Sequence, residues 1–76
     1  MVDWEQEMSG MLLKNKRGRW VLNDMELTAG SCCQVWIDGH WIDVRIEHDG
    51  RSYYAIPLAV RLHLGLHARF PSQWGD

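Results

Sequence analysis

Two Asp-Gly pairs, Asp38-Gly39 and Asp49-Gly50, lie eleven residues apart and divide residues 30–56 into three runs of alternating apolar and polar side chains. Asp-Gly favours tight hairpin turns because both residues tolerate a positive φ. The segment therefore predicts a three-stranded antiparallel meander. In a chain of 76 residues, the meander predicts an all-β fold: a small β-barrel or roll of about five antiparallel strands, with one short helical or 3₁₀ turn at most.

The first turn determines which side chains share a face of the meander. A two-residue type I′ turn places Trp36 opposite Trp41. One face is then apolar and predicted to enter the core: Cys33, Val35, Ile37, Ile42, Val44 and Ile46. The other face is polar and carries the two tryptophans: Gln34, Trp36, Trp41, Asp43, Arg45 and Glu47.

The second turn allows two registers. A three-residue loop, residues 48–50, places Tyr54 and Ile56 in the core, whereas a two-residue turn places Tyr53 and Ala55 there. We predict the three-residue loop, with Gly50 in the left-handed conformation, because it buries the larger apolar side chains.

The whole chain is predicted to divide into three parts. Residues 1–10 are predicted to be an N-terminal segment, flexible or a short helix, residues 11–71 a single small β-barrel domain, and residues 72–76 a C-terminal tail. Within the domain, the polar residues 14–18 predict a hairpin loop, and Asn23-Asp24 predicts a turn. A turn near residues 57–63 and a closing strand near residues 66–70 follow.

The composition indicates the cellular compartment of the protein. The two cysteines, Cys32 and Cys33, are adjacent, which predicts two thiols in a reducing cytoplasm, one of them in the core. The N-terminus is acidic rather than basic and apolar, and no apolar run reaches membrane-spanning length. We therefore expect a cytoplasmic protein with no membrane partner.

Catalytic and metal-binding motifs are weak. The sequence lacks a G-x-S-x-G motif, a phosphate-binding glycine loop and a dinucleotide fingerprint, so we predict no enzyme and no cofactor. Cys33 could act as a nucleophile if a histidine were its base, but the spacing of the histidines does not support such a pair. We predict that Cys33 is a buried structural thiol. His63 and His67 have helical spacing, but Gly65 between them disfavours a helix, and we predict no metal site.

Two surfaces are candidate binding sites. The first is the tryptophan pair with its polar neighbours, predicted to bind protein: Trp36, Trp41, Asp43 and Arg45. Intramolecular covering by Trp4, Met8 or Trp74 and self-association are the alternatives for this surface. The second surface is the basic hairpin, which is either solvated or contacts phosphates: Lys14, Lys16, Arg17 and Arg19.

One pattern also resembles a known family. Residues 27–54 read L-x-x-G-x-x-x-x-V-x-I-D-G-x-W-x-x-x-R-I-E-x-D-G-x-x-Y-Y, and this pattern resembles very small bacterial domains of unknown function found on plasmids, prophages and other mobile elements. Its central part is also similar to the meander of SH3-like and Tudor-like barrels. The resemblance implies an SH3-like barrel and an accessory or regulatory role in a mobile element, but no known activity.

The leading function hypothesis is a non-catalytic binding module. It contacts an unidentified protein partner, or a second copy, through the tryptophan surface. Nucleic-acid binding through the basic hairpin and exposed aromatic side chains is the alternative, although the net charge of −2 gives no global basic field. An enzyme assembled from several small barrels around a shared pore, as in a plasmid-borne reductase, ranks last.

Overall fold

A computed structural model of the protein describes residues 9–71. These residues form no helix and eight β-strands: β1 (Ser9–Met11), β2 (Leu13–Lys14), β3 (Trp20–Leu22), β4 (Met25–Glu26), β5 (Cys32–Ile37), β6 (His40–His48), β7 (Tyr53–Ile56) and β8 (His67–Arg69). They make two antiparallel sheets, ordered β1-β8-β5-β6-β7 and β2-β3-β4. The predicted all-β class is confirmed, with a second sheet of short strands beside the five-stranded one.

Strands β5, β6 and β7 form the predicted meander. Trp36 lies opposite Trp41, as the two-residue turn requires. Asp38 and Gly39 have φ angles of 51° and 81°, the positive values of a type I′ turn. The predicted apolar face is confirmed as well, because it supplies the buried residues Cys33, Val35, Val44 and Ile46.

The predicted register of the second hairpin is wrong. Ile46 pairs with Ala55, so Ala55 is buried, and Tyr53 packs against the core. Tyr54 and Ile56 lie on the outer face instead, and Ile56 is 37% exposed. Burial of the larger apolar side chains is therefore not what selects the register.

The loop of this hairpin explains the difference. It has four residues, 49–52, and Asp49 Oδ1 accepts hydrogen bonds from the backbone N–H groups of Arg51 (2.8 Å) and Ser52 (2.9 Å). These hydrogen bonds stabilise a four-residue loop, and with this loop His48 pairs with Tyr53. Gly50 has a φ of 93°, which confirms its predicted left-handed conformation.

Two further connections agree with the sequence. Residues 15–19 form the predicted basic hairpin loop between β2 and β3. Asn23 and Asp24, with φ angles of 51° and 65°, form the predicted turn between β3 and β4.

The chain closes by pairing its first and last described strands. Strand β8 lies between β1 and β5, which confirms the closing strand, and Ser9 and Gly10 of β1 pair with it although the sequence places them outside the barrel. The predicted turn near residues 57–63 is confirmed: the Val60 N–H donates to the Pro57 carbonyl (3.0 Å).

The core is formed by side chains from both sheets and their connections. Its largest fully buried members are Leu12, Leu22, Leu27, Ile46, Val35 and Cys33. No polar or charged residue among residues 9–71 is buried, so the polar chemistry of this part of the chain lies at the surface. Residues 9–71 include no helix that could cross a membrane.

Candidate functional site

The basic hairpin is a defined loop held by one side chain. Asn15 Oδ1 accepts hydrogen bonds from the backbone N–H groups of Arg17 (2.9 Å) and Arg19 (3.0 Å). The Gly18 N–H donates to the Asn15 carbonyl (3.0 Å), and Gly18 has a φ of 77° that a glycine adopts without strain. Lys16 and Arg17 are therefore presented to solvent from an ordered turn.

The four predicted cations have different surroundings. Arg19 forms an ion pair with Glu26 (2.9 Å), which also accepts a hydrogen bond from Asn15 Nδ2 (2.7 Å). The hydrogen bonds from Arg19 and then from Asn15 hold the pKa of Glu26 below its ordinary value. The Lys14 ammonium lies 4.9 Å from the centre of the Trp20 ring, a cation–π contact. The Arg19 charge is thus compensated locally by a carboxylate, whereas Lys14 contacts an aromatic ring.

A cleft of about 900 Å³ lies beside this hairpin, and five cationic side chains line it. They come from three parts of the chain: the basic hairpin, the β6–β7 loop and the segment after β7. We call this cleft the basic groove and define it by its cations, Lys14, Arg17, Arg19, Arg51 and Arg61. No Asp or Glu among the described residues lines it. Lys16, on the same hairpin, is not among the lining residues.

Aromatic rings lie between the cations of the groove. The lining includes Trp20, His48, Tyr53 and Tyr54. His48 and Tyr53 contact each other edge to face, with ring centres 4.5 Å apart. Cations interleaved with aromatic rings offer contacts both to phosphates and to planar bases.

The loop that carries Arg51 is held by its own side chains. His48 Nδ1 accepts a hydrogen bond from the Gly50 N–H (3.0 Å), and Asp49 caps the turn. Backbone hydrogen bonds from Ser52 and then from Arg51 keep the pKa of Asp49 below its ordinary value. The Asp49 carboxylate is therefore engaged by its own loop and is not part of the groove lining.

The tryptophan surface on the outer face of the larger sheet is also formed. Trp36 and Trp41 meet edge to face with ring centres 5.1 Å apart, which confirms the predicted pair. Trp36 is 42% exposed, whereas Trp41 is partly buried. The Arg69 guanidinium lies 4.1 Å from the centre of the Trp41 ring, and His67 contacts the same ring at 5.2 Å. Of the pair, Trp36 offers the larger surface to a partner.

The polar members of this surface are bonded to their neighbours. Asp43 Oδ1 accepts a hydrogen bond from Gln34 Nε2 (2.8 Å), and Gln34 Oε1 accepts one from Arg69 Nε (2.7 Å). Arg45 forms an ion pair with Glu47 (2.7 Å). Covering by Trp4, Met8 or Trp74 concerns positions outside the described residues.

The reactive side chains are dispersed. Cys33 is buried, and burial raises the pKa of its thiol to about 11, while Cys32 is exposed; both are free thiols. His67 Nε2 is hydrogen-bonded to Ser9 Oγ (2.8 Å), and His63 Nδ1 lies 3.1 Å from the Leu64 carbonyl oxygen. Residues 9–71 contain no group of three His, Cys, Asp or Glu side chains that could hold a metal ion.

Sequence reasoning identified the hairpin cations but missed Arg51, Arg61 and the tyrosines as their neighbours. These residues are distant in sequence, and the groove depends on how the two hairpins pack. One signal was available, because Arg17 and Arg51 each lie in a hairpin loop.

A single family model covers almost all of the described residues. Residues 9–70 match the family described as Domain of unknown function (DUF5348). The match includes the basic groove and the tryptophan surface. No curated protein and no solved structure matches the chain. The chain therefore belongs to the DUF5348 family of domains of unknown function.

Proposed function

We propose that this protein is a non-catalytic nucleic-acid-binding module that holds a phosphate backbone in the basic groove. One observation supports the proposal above all: five cationic side chains from three parts of the chain line one cleft, and no described carboxylate lines it. Contacts from Lys and Arg to phosphates supply most of the affinity of sequence-independent nucleic-acid binding. The rings among these cations add surfaces on which bases stack.

The charge distribution supports this function better than the net charge does. Residues 9–71 contain eight Lys and Arg against six Asp and Glu, a net charge of +2, whereas the whole chain carries −2. Five of the eight cations line the groove. A polyanion approaching the groove therefore meets a positive local field although the whole protein is acidic.

Protein binding at the tryptophan surface, or self-association there, is the second candidate. The exposed Trp36 ring favours it, because aromatic anchors dominate the energetics of protein interfaces. Its other members, Trp41, Asp43 and Arg45, are engaged by neighbours on their own sheet. An SH3-like architecture and an accessory role in a bacterial mobile element, implied by the sequence resemblance, are compatible with both functions. A reducing cytoplasm is compatible with the two free thiols.

Fluorescence anisotropy of a labelled oligonucleotide at low salt tests the proposal. Arg17→Gln and Arg51→Gln each remove one groove cation and are expected to weaken binding by about threefold to tenfold. Arg45→Gln is the matched control, since it removes the same charge from a residue outside the groove that pairs with Glu47. Equal losses in all three variants, or no binding by the unmodified protein, would contradict the proposal.

A further inference from the structure

A second cleft adjoins the basic groove. It has a volume of about 490 Å³ and lies between the end of β5 and residues 59–67. Arg61 lines both clefts and is the residue that they share. We call the second cleft the tryptophan pocket, lined by Arg61, Trp36, His63 and His67 among others. No Asp or Glu of the described residues lines it.

The aromatic wall of this pocket is held in place. Trp36 packs against Trp41, and Trp41 is fixed in turn by the Arg69 guanidinium 4.1 Å from its ring centre. Trp36 nevertheless remains 42% exposed. A ring that is already ordered and still accessible binds a planar ligand with little further loss of side-chain entropy.

We propose that the nucleic acid bound in the basic groove is single-stranded, and that its backbone passes Arg61 so that one base enters the tryptophan pocket and stacks on Trp36. This inference rests on the proposed function of the groove. Because Arg61 lines both clefts, a strand whose phosphate contacts Arg61 can extend from the basic groove into the tryptophan pocket, where Trp36 offers an aromatic ring on which a base stacks.

The pocket discriminates against a duplex. Bases in a double helix are stacked on both sides and paired, so a base enters a side pocket only after it is unstacked, at a cost in free energy. A single strand avoids most of this cost. Every base has a π-face, and the contact to Trp36 therefore gives little sequence preference.

The test compares three probes of equal length, about ten nucleotides, because a single OB-fold, a domain of similar size, covers roughly 4–16 nucleotides. They are a single strand, the corresponding duplex, and a strand with the same phosphates but no bases. Single strands of DNA and RNA are both used, because phosphates and bases are common to them, and the ratio of the two affinities shows which sugar the protein prefers. Anisotropy at fixed low salt gives each affinity.

The unmodified protein is expected to bind the single strand about tenfold more tightly than the duplex or the strand without bases. Trp36→Ala is expected to weaken single-strand binding about tenfold and to leave the affinity for the strand without bases unchanged, whereas Trp36→Phe keeps most of the affinity. Equal affinities for all three probes, or no effect of Trp36→Ala, would overturn the inference.

Failure of this inference differs from failure of the proposed function. If Arg51→Gln weakens every probe while Trp36→Ala weakens none, the groove binds nucleic acid and the pocket does not. If no probe binds the unmodified protein, both proposals are rejected. Circular dichroism checks that Trp36→Ala is folded, and if it is not, the comparison of probes on the unmodified protein decides.

Discussion

The salt dependence of nucleic-acid binding measures how many groove cations contact phosphates. Of the five that line the groove, Arg19 is already paired with Glu26 at 2.9 Å, which leaves four with their charge available. Each phosphate neutralised on a single strand contributes about −0.7 to the slope of log affinity against log salt concentration. We therefore expect a slope of about −3, so that a roughly fourfold rise in salt weakens binding about fiftyfold.

Two substitutions change this slope in opposite directions. Arg51→Gln removes one contact and is expected to reduce the slope by about 0.7. Glu26→Gln releases Arg19 from its ion pair and is expected to make the slope steeper, to about −3.5. Arg45→Gln leaves the slope unchanged, because Arg45 is not part of the groove lining.

The assay is a series of anisotropy titrations of a labelled single strand in increasing sodium chloride. Binding that is independent of salt would exclude phosphate contacts in the basic groove, because contacts to phosphates release condensed counterions. A steep slope that none of the groove substitutions changes would exclude them as well. In that case the phosphates contact another part of the protein.

Two further predictions concern the fold. Ala55→Leu is expected to reduce the free energy of unfolding by about 1–3 kcal/mol, because the larger side chain overpacks the core. Ile56→Thr is expected to change it by about 0.5 kcal/mol or less, because Ile56 lies on the outer face. Urea unfolding measures both values, and a larger loss for Ile56→Thr than for Ala55→Leu would contradict the observed register. Burial raises the pKa of Cys33 from 9.0 to about 11, so its contribution to stability is present below pH 9 and lost as the pH rises towards 11. Cys33→Ala should lack this loss, and an identical pH profile in both proteins would contradict it.

Much of the fold could be predicted because its signals are local. Asp38-Gly39 determines a two-residue turn, and the alternation around it then assigns both faces of the meander. The second hairpin could not be predicted in the same way. There, hydrogen bonds from two backbone N–H groups to Asp49 stabilise a four-residue loop. Burial of Tyr54 and Ile56 would require the three-residue loop that we predicted, which pairs β7 with β6 in a different register.

Only part of the candidate site could be predicted from the sequence. The cluster of cations at residues 14–19 is visible in the sequence, and so is the Trp36–Trp41 pair. The proximity of Arg51 and Arg61 to that cluster depends on how the two sheets pack, which periodicity does not encode. The contact of Arg69 with Trp41 depends in the same way on the pairing of β8 with β5.

A two-dimensional ¹H–¹⁵N NMR titration with an unlabelled single strand locates the nucleic-acid contact residue by residue. We expect the largest shifts at the backbone amides of Arg17, Arg51 and Tyr53, together with the indole N–H of Trp36, and we expect added salt to reverse them. Shifts that avoid the groove and gather at Asp43 and Arg45, or a spectrum that the strand leaves unchanged, would contradict nucleic-acid binding in the basic groove.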